Sequence, residues 1–330
     1  MADVSPFSRY EQDRDQSDRG QLLVLTGLML AVTLVILAVL LNSVIYAENL
    51  GTRGSDIGGG DPVKTEKSLT VAAEDLMIEI NQNSDSQDNH NALADDLEVE
   101  IIEWYEQANQ YVVHDGDYSE IQNLETTNGV QIRQTSPGTF ESADGEADPS
   151  WEVVREEDNA RNYVVKVTDV HQTANNPDAS ELDTLSAFHI AAESDSNVWN
   201  AHIYHDEDTG NNVLAAEDGS DIIAKCDIDE SNPTINFSAS TVSGESCEAA
   251  VFASNLDSSY SISYENSDQI EGEYELTVDN PALENSEKFN GPGGGDPYAV
   301  SGIYSADIEF RYEGSQIEYE SVIRVAPGKL

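Results

Sequence analysis

The segment that most restricts the fold lies between Gly20 and Ala47, where the sequence carries no charged residue. Its central part, residues 22–41, consists mostly of Leu, Val, Ala and Ile. A helix of about twenty such residues is roughly 30 Å long, which matches the hydrocarbon thickness of a bilayer. The pattern therefore predicts a single transmembrane helix over residues 20–47, with the lipid bilayer in contact with residues 22–41.

The flanks of this segment bear on processing and orientation. A secretory signal that is removed has a shorter apolar core and a small-residue cleavage site after it, and residues 41–49 offer no such site. We therefore expect the helix to stay in the mature chain. Arg19 adjoins the apolar core directly, which favours a cytoplasmic leader at residues 1–19 and an extracellular carboxy-terminal part. The predicted localisation is the cell membrane, as a single-pass protein.

The chain is strongly acidic, with 64 Asp and Glu against 15 Lys and Arg and a net charge of −49. Binding to nucleic acid requires clustered basic residues, so we expect no nucleic-acid partner. The hydrophobic content of 38% and the 14 tyrosines are typical of a folded chain. Carboxylates spread over a whole surface repel one another least in concentrated salt, where the Debye length falls to about 3 Å. We infer a halophilic protein.

Two helices are predicted after a glycine-rich linker at residues 48–60. Asp61 and Pro62 are the residue types that begin a helix, as N-cap and first-turn proline. Apolar residues then recur at helical spacing in two stripes, Leu69, Ala72, Ala73, Leu76 and Ile80 in the first and Leu93, Leu97, Ile101, Trp104, Tyr105, Ala108 and Val112 in the second. The pattern predicts a helical pair over residues 61–114 whose stripes pack into a core.

Residues 115–330 are predicted to form an acidic, β-rich extracellular domain. Its first part, 115–150, is polar and contains Asp-Gly, Asn-Gly and Ser-Pro-Gly, which are typical of turns. Beyond it, apolar residues alternate at period two, at 163–167, 198–205, 260–264 and 270–278 and in a closing hairpin at 306–312 and 317–325. This alternation is typical of antiparallel sheet with one solvated face, and several such strands predict a β-sandwich-like domain. The predicted fold class is α+β.

The chain has two cysteines, Cys226 and Cys247. They can remain free thiols or form a disulfide, and an extracellular location favours the disulfide. Asn236 begins the triplet Asn-Phe-Ser, which is a candidate glycosylation site in an exterior loop.

The sequence offers little that indicates catalysis or metal binding. Asp206, Asp208 and Glu217 fit three positions of a calcium-binding loop, but Gly210 stands where that loop requires a ligand. His202 and His205 are three residues apart in a predicted strand, so they point to opposite faces and make poor co-ligands. No motif of a nucleophile, a metalloprotease or a nucleotide-binding loop is present. We therefore predict no catalytic residue, no metal site, no cofactor and no enzyme activity.

The junction before the apolar helix, Asp18-Arg19-Gly20-Gln21-Leu22-Leu23-Val24, resembles the processing site of archaeal class III signal peptides, which type IV pilin-like proteins carry. The resemblance implies that a prepilin peptidase cuts between Gly20 and Gln21, with Arg19 as the charged residue before the site. It also implies a retained helix that anchors the subunit or joins other pilin-like subunits, and a β-rich head that a disulfide can stabilise. The run from Arg19 to Leu50 and the closing hairpin are similar to an uncharacterised haloarchaeal family of single-pass proteins.

Two features depart from the pilin pattern. Leu25 stands where many pilins place a glutamate, and a Gly-rich break at residues 51–60 stands where major pilins usually continue the helix. Both favour a minor pilin or pseudopilin-like surface protein with a structural or adhesive role. The alternative is an unprocessed single-pass membrane protein whose exterior β domain binds a ligand or partner.

Overall fold

The structure is a computed structural model that describes residues 62–83, 89–114, 118–145, 149–155, 159–194, 197–219, 221–228, 232–253, 256, 260–314, 317–328 and 330. The predicted leader, transmembrane helix and linker at residues 1–60 lie outside this part of the chain. Among the described helices, none combines the length and the apolar character that a bilayer crossing requires. The described elements belong to one compact unit that ends at Leu330.

The helical pair consists of α1 (Pro62–Asn83) and α2 (His90–His114), which pack against each other. Each helix buries one residue per turn, as the apolar spacing predicts, and the buried apolar side chains are Leu69, Ala73, Met77 and Ile80 in α1 and Leu93, Leu97, Ile101 and Tyr105 in α2. The predicted stripe residues Ala72, Leu76, Trp104 and Ala108 are half-buried at the edges of the same faces. The described members of both stripes therefore form the core that the sequence predicts, whereas the predicted member Val112 lies where side chains are outside the described part.

Sheet A has eight strands, and all its hydrogen-bonded neighbours are antiparallel. Its strands in spatial order are β11 (Glu245–Ser246), β10 (Thr241–Val242), β9 (Thr234–Asn236), β3 (Ala160–Val170), β13 (Ile270–Val278), β1 (Tyr118–Thr139), β14 (Tyr298–Glu313) and β15 (Glu318–Val325).

Sheet B has six strands along its main path and one short parallel addition. Its strands in spatial order are β2 (Trp151–Val154), β12 (Ser261–Glu265), β5 (His189–Glu193), β6 (Val198–Asp206), β7 (Asn212–Asp218) and β8 (Asp221–Ile228), with β4 (Thr173–Ala174) beside β6. Helix α3 (Ala179–Leu185) lies between β4 and β5 in the chain, and 3₁₀ turns occupy Glu248–Ala250, Ser267–Gln269 and Pro281–Asn285.

The main core lies between the two sheets, which gives the predicted sandwich-like α+β arrangement. Alternate residues of sheet A, such as Ile132 and Val165, share this core with alternate residues of sheet B, such as Trp199 and Ile203. Two buried hydroxyls also join the sheets, because Tyr163 Oη donates to Tyr264 Oη at 3.1 Å. The helical pair packs on sheet A at β1, β14 and β15.

The prediction of turns over residues 115–150 is wrong for most of this region, because β1 is one strand of 22 residues. Its Asn-Gly and Ser-Pro-Gly sequences lie at shifts in the pairing register, and such bulges absorb turn-type residues without ending a strand. Gly129 is required there, since a Cβ would lie 2.7 Å from the carbonyl oxygen of Val278 and 2.9 Å from Cβ of Tyr304.

The closing hairpin forms as predicted, with Tyr312 opposite Tyr319 and Ile308 opposite Ile323. Its apolar face packs on the helical pair, where Phe310 meets the Tyr105 ring edge-to-face with 6.5 Å between centroids. Its opposite face carries exposed charged residues such as Glu309 and Glu320, as expected for a sheet with one solvated face.

Candidate functional site

The predicted disulfide is present and joins Cys226 of β8 to Cys247, directly after β11. β8 is the edge strand of sheet B, and β11 is the edge strand of sheet A. The bond therefore links the two sheets along one open side of the sandwich. Closing a loop of 21 residues stabilises the fold by about 3 kcal/mol on the chain-entropy model.

Asn236, the candidate glycosylation residue, is the last residue of β9 and is half-buried. Its Oδ1 accepts a hydrogen bond from the backbone N–H of Ala239 at 2.9 Å. The side chain also lines a cavity of about 440 Å³ on the outer side of sheet A. Glycosylation at this position stays a prediction.

The same cavity contains the guanidinium of Arg133, but this cation already has partners. Its Nη2 donates to the carbonyl oxygen of Asn81 at 3.2 Å, and its Nε lies 3.9 Å from a carboxylate oxygen of Glu275. The remaining walls combine apolar side chains such as Leu276 with polar ones such as the amides of Gln131 and Asn162. The Arg133 charge is therefore used to hold α1 on sheet A.

A second polar cluster lies on the face of sheet B that is turned away from the sandwich core. On β6, Ala201 and Ile203 belong to that core, so His202 between them points to the opposite face, where it is fully buried. Its Nε2 donates to Oε2 of Glu217 on β7 at 2.6 Å. Glu217 also accepts from Nδ2 of Asn200 at 3.2 Å. A buried imidazole and a buried carboxylate are thus paired inside a chain whose acidic residues are mostly on the surface.

The strand register explains why these side chains meet. His189 of β5 is the direct cross-strand partner of His202, and their rings lie 4.6 Å apart between centroids. Glu217 is the cross-strand partner of Asn200, two residues before His202, which makes it a diagonal neighbour on the same face. Three adjacent strands therefore contribute to one polar cluster.

The environment of the cluster shifts two ionisation equilibria. Burial, together with the adjacent His202, lowers the pKa of His189 from 6.5 to about 4, so this ring is neutral at pH 7. Burial of the Glu217 carboxyl opposes its ionisation, but the hydrogen bonds from His202 and Asn200 outweigh that effect and hold its pKa below the ordinary value.

Helix α3 covers the cluster and brings Asp183 to it. Asp178 caps the helix, since its Oδ1 accepts from the N–H of Glu181 at 2.9 Å while the Glu181 side chain accepts from the N–H of Asp178. Leu182 anchors the helix in a small apolar cluster with Tyr204, Val213 and other residues of sheet B. One ligand atom each of Asp183, His202 and Glu217 lies within 4.8 Å of the other two.

Two buried acceptor atoms of this cluster have no hydrogen-bond partner among the described residues. They are Nδ1 of His202 and Oδ1 of Asn200. The other nitrogen of His202 donates to Glu217, so in the neutral ring Nδ1 carries an unused lone pair.

The calcium-loop frame does not assemble around one point. Asp206 accepts from the backbone N–H of Asp208 at 2.9 Å, which holds the β6–β7 turn. Glu217 lies beside Asn200, six residues away along β6, and six residues of strand span about 20 Å. Glu217 instead accepts a hydrogen bond from His202. The spacing in the sequence relates His202 only to His205 and gives no sign of this contact. The sequence analysis does not single out His189. Its signal in the sequence is the alternation in β5, where apolar Ile190 points into the sandwich core and His189 therefore points to the outer face.

The predicted processing residues Arg19, Gly20 and Gln21 lie outside the described residues. The sequence from residue 16 to residue 176 matches a family of unknown function (DUF7261). That match includes the apolar segment, both helices of the pair and strands β1 to β4. No curated protein and no solved structure matches the chain.

Proposed function

We propose that the chain is a membrane-anchored, pilin-like cell-surface protein with a structural or adhesive role, processed after Gly20. The observation that carries this proposal is the sequence Arg19-Gly20-Gln21 placed directly before an apolar segment long enough to span a bilayer. Cleavage there leaves the helix on the mature protein as its anchor. The site of action is the extracellular face of the cell membrane.

Three features of the described domain support an exterior location. The Cys226–Cys247 disulfide is a bond of the kind that forms and persists in an oxidising compartment. The net charge of −49 suits direct exposure to concentrated salt. The compact unit follows the apolar segment closely, with α1 beginning at Pro62.

The role we propose is that of a minor or pseudopilin-like subunit. In filaments of major pilins a glutamate early in the mature helix pairs with the new amino terminus of a neighbour, and Leu25 cannot form that pair. Other pilin-like subunits and a prepilin peptidase are the proposed partners.

The test compares two identical substitutions at different places in the apolar segment. Gly20→Val removes the small residue at the processing site, and Gly27→Val is the matched control seven residues further into the helix. We expect Gly20→Val to retain residues 1–20, while Gly27→Val matures like the native protein, as measured by intact mass of the membrane-extracted chain. Equal amino termini in the native protein and both variants would refute processing at Gly20.

A second candidate function is favoured by the polar cluster under α3. An unprocessed single-pass protein whose exterior domain binds a ligand needs a preformed binding site. The buried His202–Glu217 pair, which has acceptor atoms without a hydrogen-bond partner beside it, is a candidate for that site. This alternative requires an intact leader at residues 1–19 on the mature protein, which the same mass measurement detects.

A further inference from the structure

The cluster of Asp183, His202 and Glu217 has the composition of a metal site. It supplies one imidazole and two carboxylates from three different elements, α3, β6 and β7. His202 is fully buried, and Glu217 is 3% exposed, so two of the three groups are shielded from water. Imidazole and carboxylate donors together suit zinc and its first-row neighbours, whereas calcium and magnesium prefer oxygen alone.

A second observation points to a ligand that the protein itself does not supply. Leaving a buried acceptor without a hydrogen bond costs about 1–3 kcal/mol, and Nδ1 of His202 and Oδ1 of Asn200 are both in that condition. Both residues contact the same Glu217 carboxylate. A cation bound by both His202 and Glu217 takes the place of the Nε2 proton, since Nδ1 points away from that carboxylate, and the proton then moves to Nδ1. The Oδ1 lone pair of Asn200 offers a fourth donor beside the three.

We propose that Asp183, His202 and Glu217 bind a divalent transition-metal cation, with zinc as the best match, on the outer face of sheet B. Two carboxylates and a neutral imidazole balance the charge of one dication. The site goes beyond the surface role proposed above and does not depend on processing at Gly20.

The present distances require a small adjustment on binding. Ligand atoms around tetrahedral zinc are about 3.3 Å apart for bonds of about 2 Å, whereas the atoms in the cluster are up to 4.8 Å apart. Asp183 is exposed and can move inward, while His202 and Glu217 are held in adjacent strands. The ring of His189 lies against that of His202, with the two planes tilted by 37°, and limits rotation of the His202 ring. Most of the site is thus preorganised, and Asp183 closes it.

The experiment uses the full-length protein, purified in concentrated salt and stripped of metal with a chelator. Cobalt(II) serves as the spectroscopic probe, because its visible absorption reports ligand number and geometry, and zinc is then added in competition. We expect saturation at one cobalt per chain with an intense four- or five-coordinate spectrum, and displacement by one equivalent of zinc. High salt suppresses diffuse binding to the acidic surface.

Asp183→Asn is the decisive variant, since its side chain is exposed and its loss leaves the buried pair intact. We expect it to weaken cobalt binding at least about 10-fold. Asp221→Asn, which removes one exposed carboxylate from β8, is the matched control and should bind like the native protein. His202→Gln should abolish the spectrum, and if that variant does not fold, Asp183→Asn alone decides. The absence of a saturable spectrum in the native protein, or equal affinities for Asp183→Asn and Asp221→Asn, would overturn the proposal.

Discussion

The imidazole of His202 and the carboxylate of Glu217 form a 2.6 Å hydrogen bond on the face of sheet B turned away from the sandwich core, where both side chains are almost completely shielded from water. Breaking a buried pair of this kind leaves one group without its partner. Glu217→Ala should therefore lower the free energy of unfolding by about 3 kcal/mol in the metal-free protein. Urea unfolding followed by tryptophan fluorescence measures this change. Glu193→Ala, at the exposed end of β5, should cost far less, and similar costs for both variants would contradict the assignment.

Acidification should destabilise the protein through the same cluster. The unfolded chain binds a proton at His189 near pH 6.5, whereas the folded chain binds it only near pH 4. Stability from this group is therefore complete above pH 6.5 and is lost as the pH falls toward 4, by about 3 kcal/mol in total. The lowered pKa of Glu217 also stabilises the folded protein above the carboxyl's ordinary pKa, and this contribution is lost as the pH falls further.

His189→Gln tests this pH dependence, because it removes the titrating ring while keeping a polar side chain of similar size. Stability between pH 7 and pH 5, measured by urea unfolding, should decline less steeply in this variant than in the native protein. His171→Gln removes an exposed imidazole and serves as the control. An unchanged slope in His189→Gln would show that another group governs the acid response.

The Cys226–Cys247 disulfide should contribute about 3 kcal/mol, because it closes a loop of 21 residues across the edges of both sheets. The double variant Cys226→Ser, Cys247→Ser should lose this amount in urea unfolding. Reduction of the native protein should lower its stability similarly, while the double variant should not respond to reductant. A native protein that is indifferent to reductant would contradict the structural role.

Gly129 should not tolerate alanine, even though its backbone conformation is ordinary. An added Cβ would lie 2.7 Å from the Val278 carbonyl oxygen, and the two strands would have to separate. Gly129→Ala should cost about 2 kcal/mol. Gly291→Ala is the control, since no atom lies within 4 Å of its Cβ position. Equal unfolding midpoints for the two variants would refute the close approach of β1 to β13.

The sequence predicts local structure well wherever one apolar period persists. The apolar stripe that contains Leu69 predicts α1, and the stripe that contains Leu93 predicts α2. The alternation of apolar and polar residues around Phe310 predicts the closing hairpin. The prediction failed at β1, because Asn128-Gly129 and Ser136-Pro137-Gly138 have the composition of turns. Whether such residues end a strand or form a bulge depends on the neighbouring strands, β13 and β14, which are more than a hundred residues away in the chain.

The candidate metal site was not predictable for a related reason. Its members are separated in sequence, and no fixed spacing joins Asp183, His202 and Glu217. They meet because of the register of β6 with β7 and the position of α3 over sheet B. The co-ligand candidates in the sequence, His202 with His205 and Asp206 with Glu217, are chosen by their spacing within one segment. Such spacing carries no information about contacts between neighbouring strands. The disulfide was easier to predict from the sequence, since a chain with two cysteines allows one intramolecular pairing.

The most direct test of the central proposal is the mass of the mature amino terminus, measured on protein purified from native membranes. Processing after Gly20 predicts a chain that begins at Gln21 and retains the apolar segment through Ala47. A chain that still carries residues 1–19 would contradict the pilin-like account and would leave an anchored, ligand-binding domain as the function to pursue.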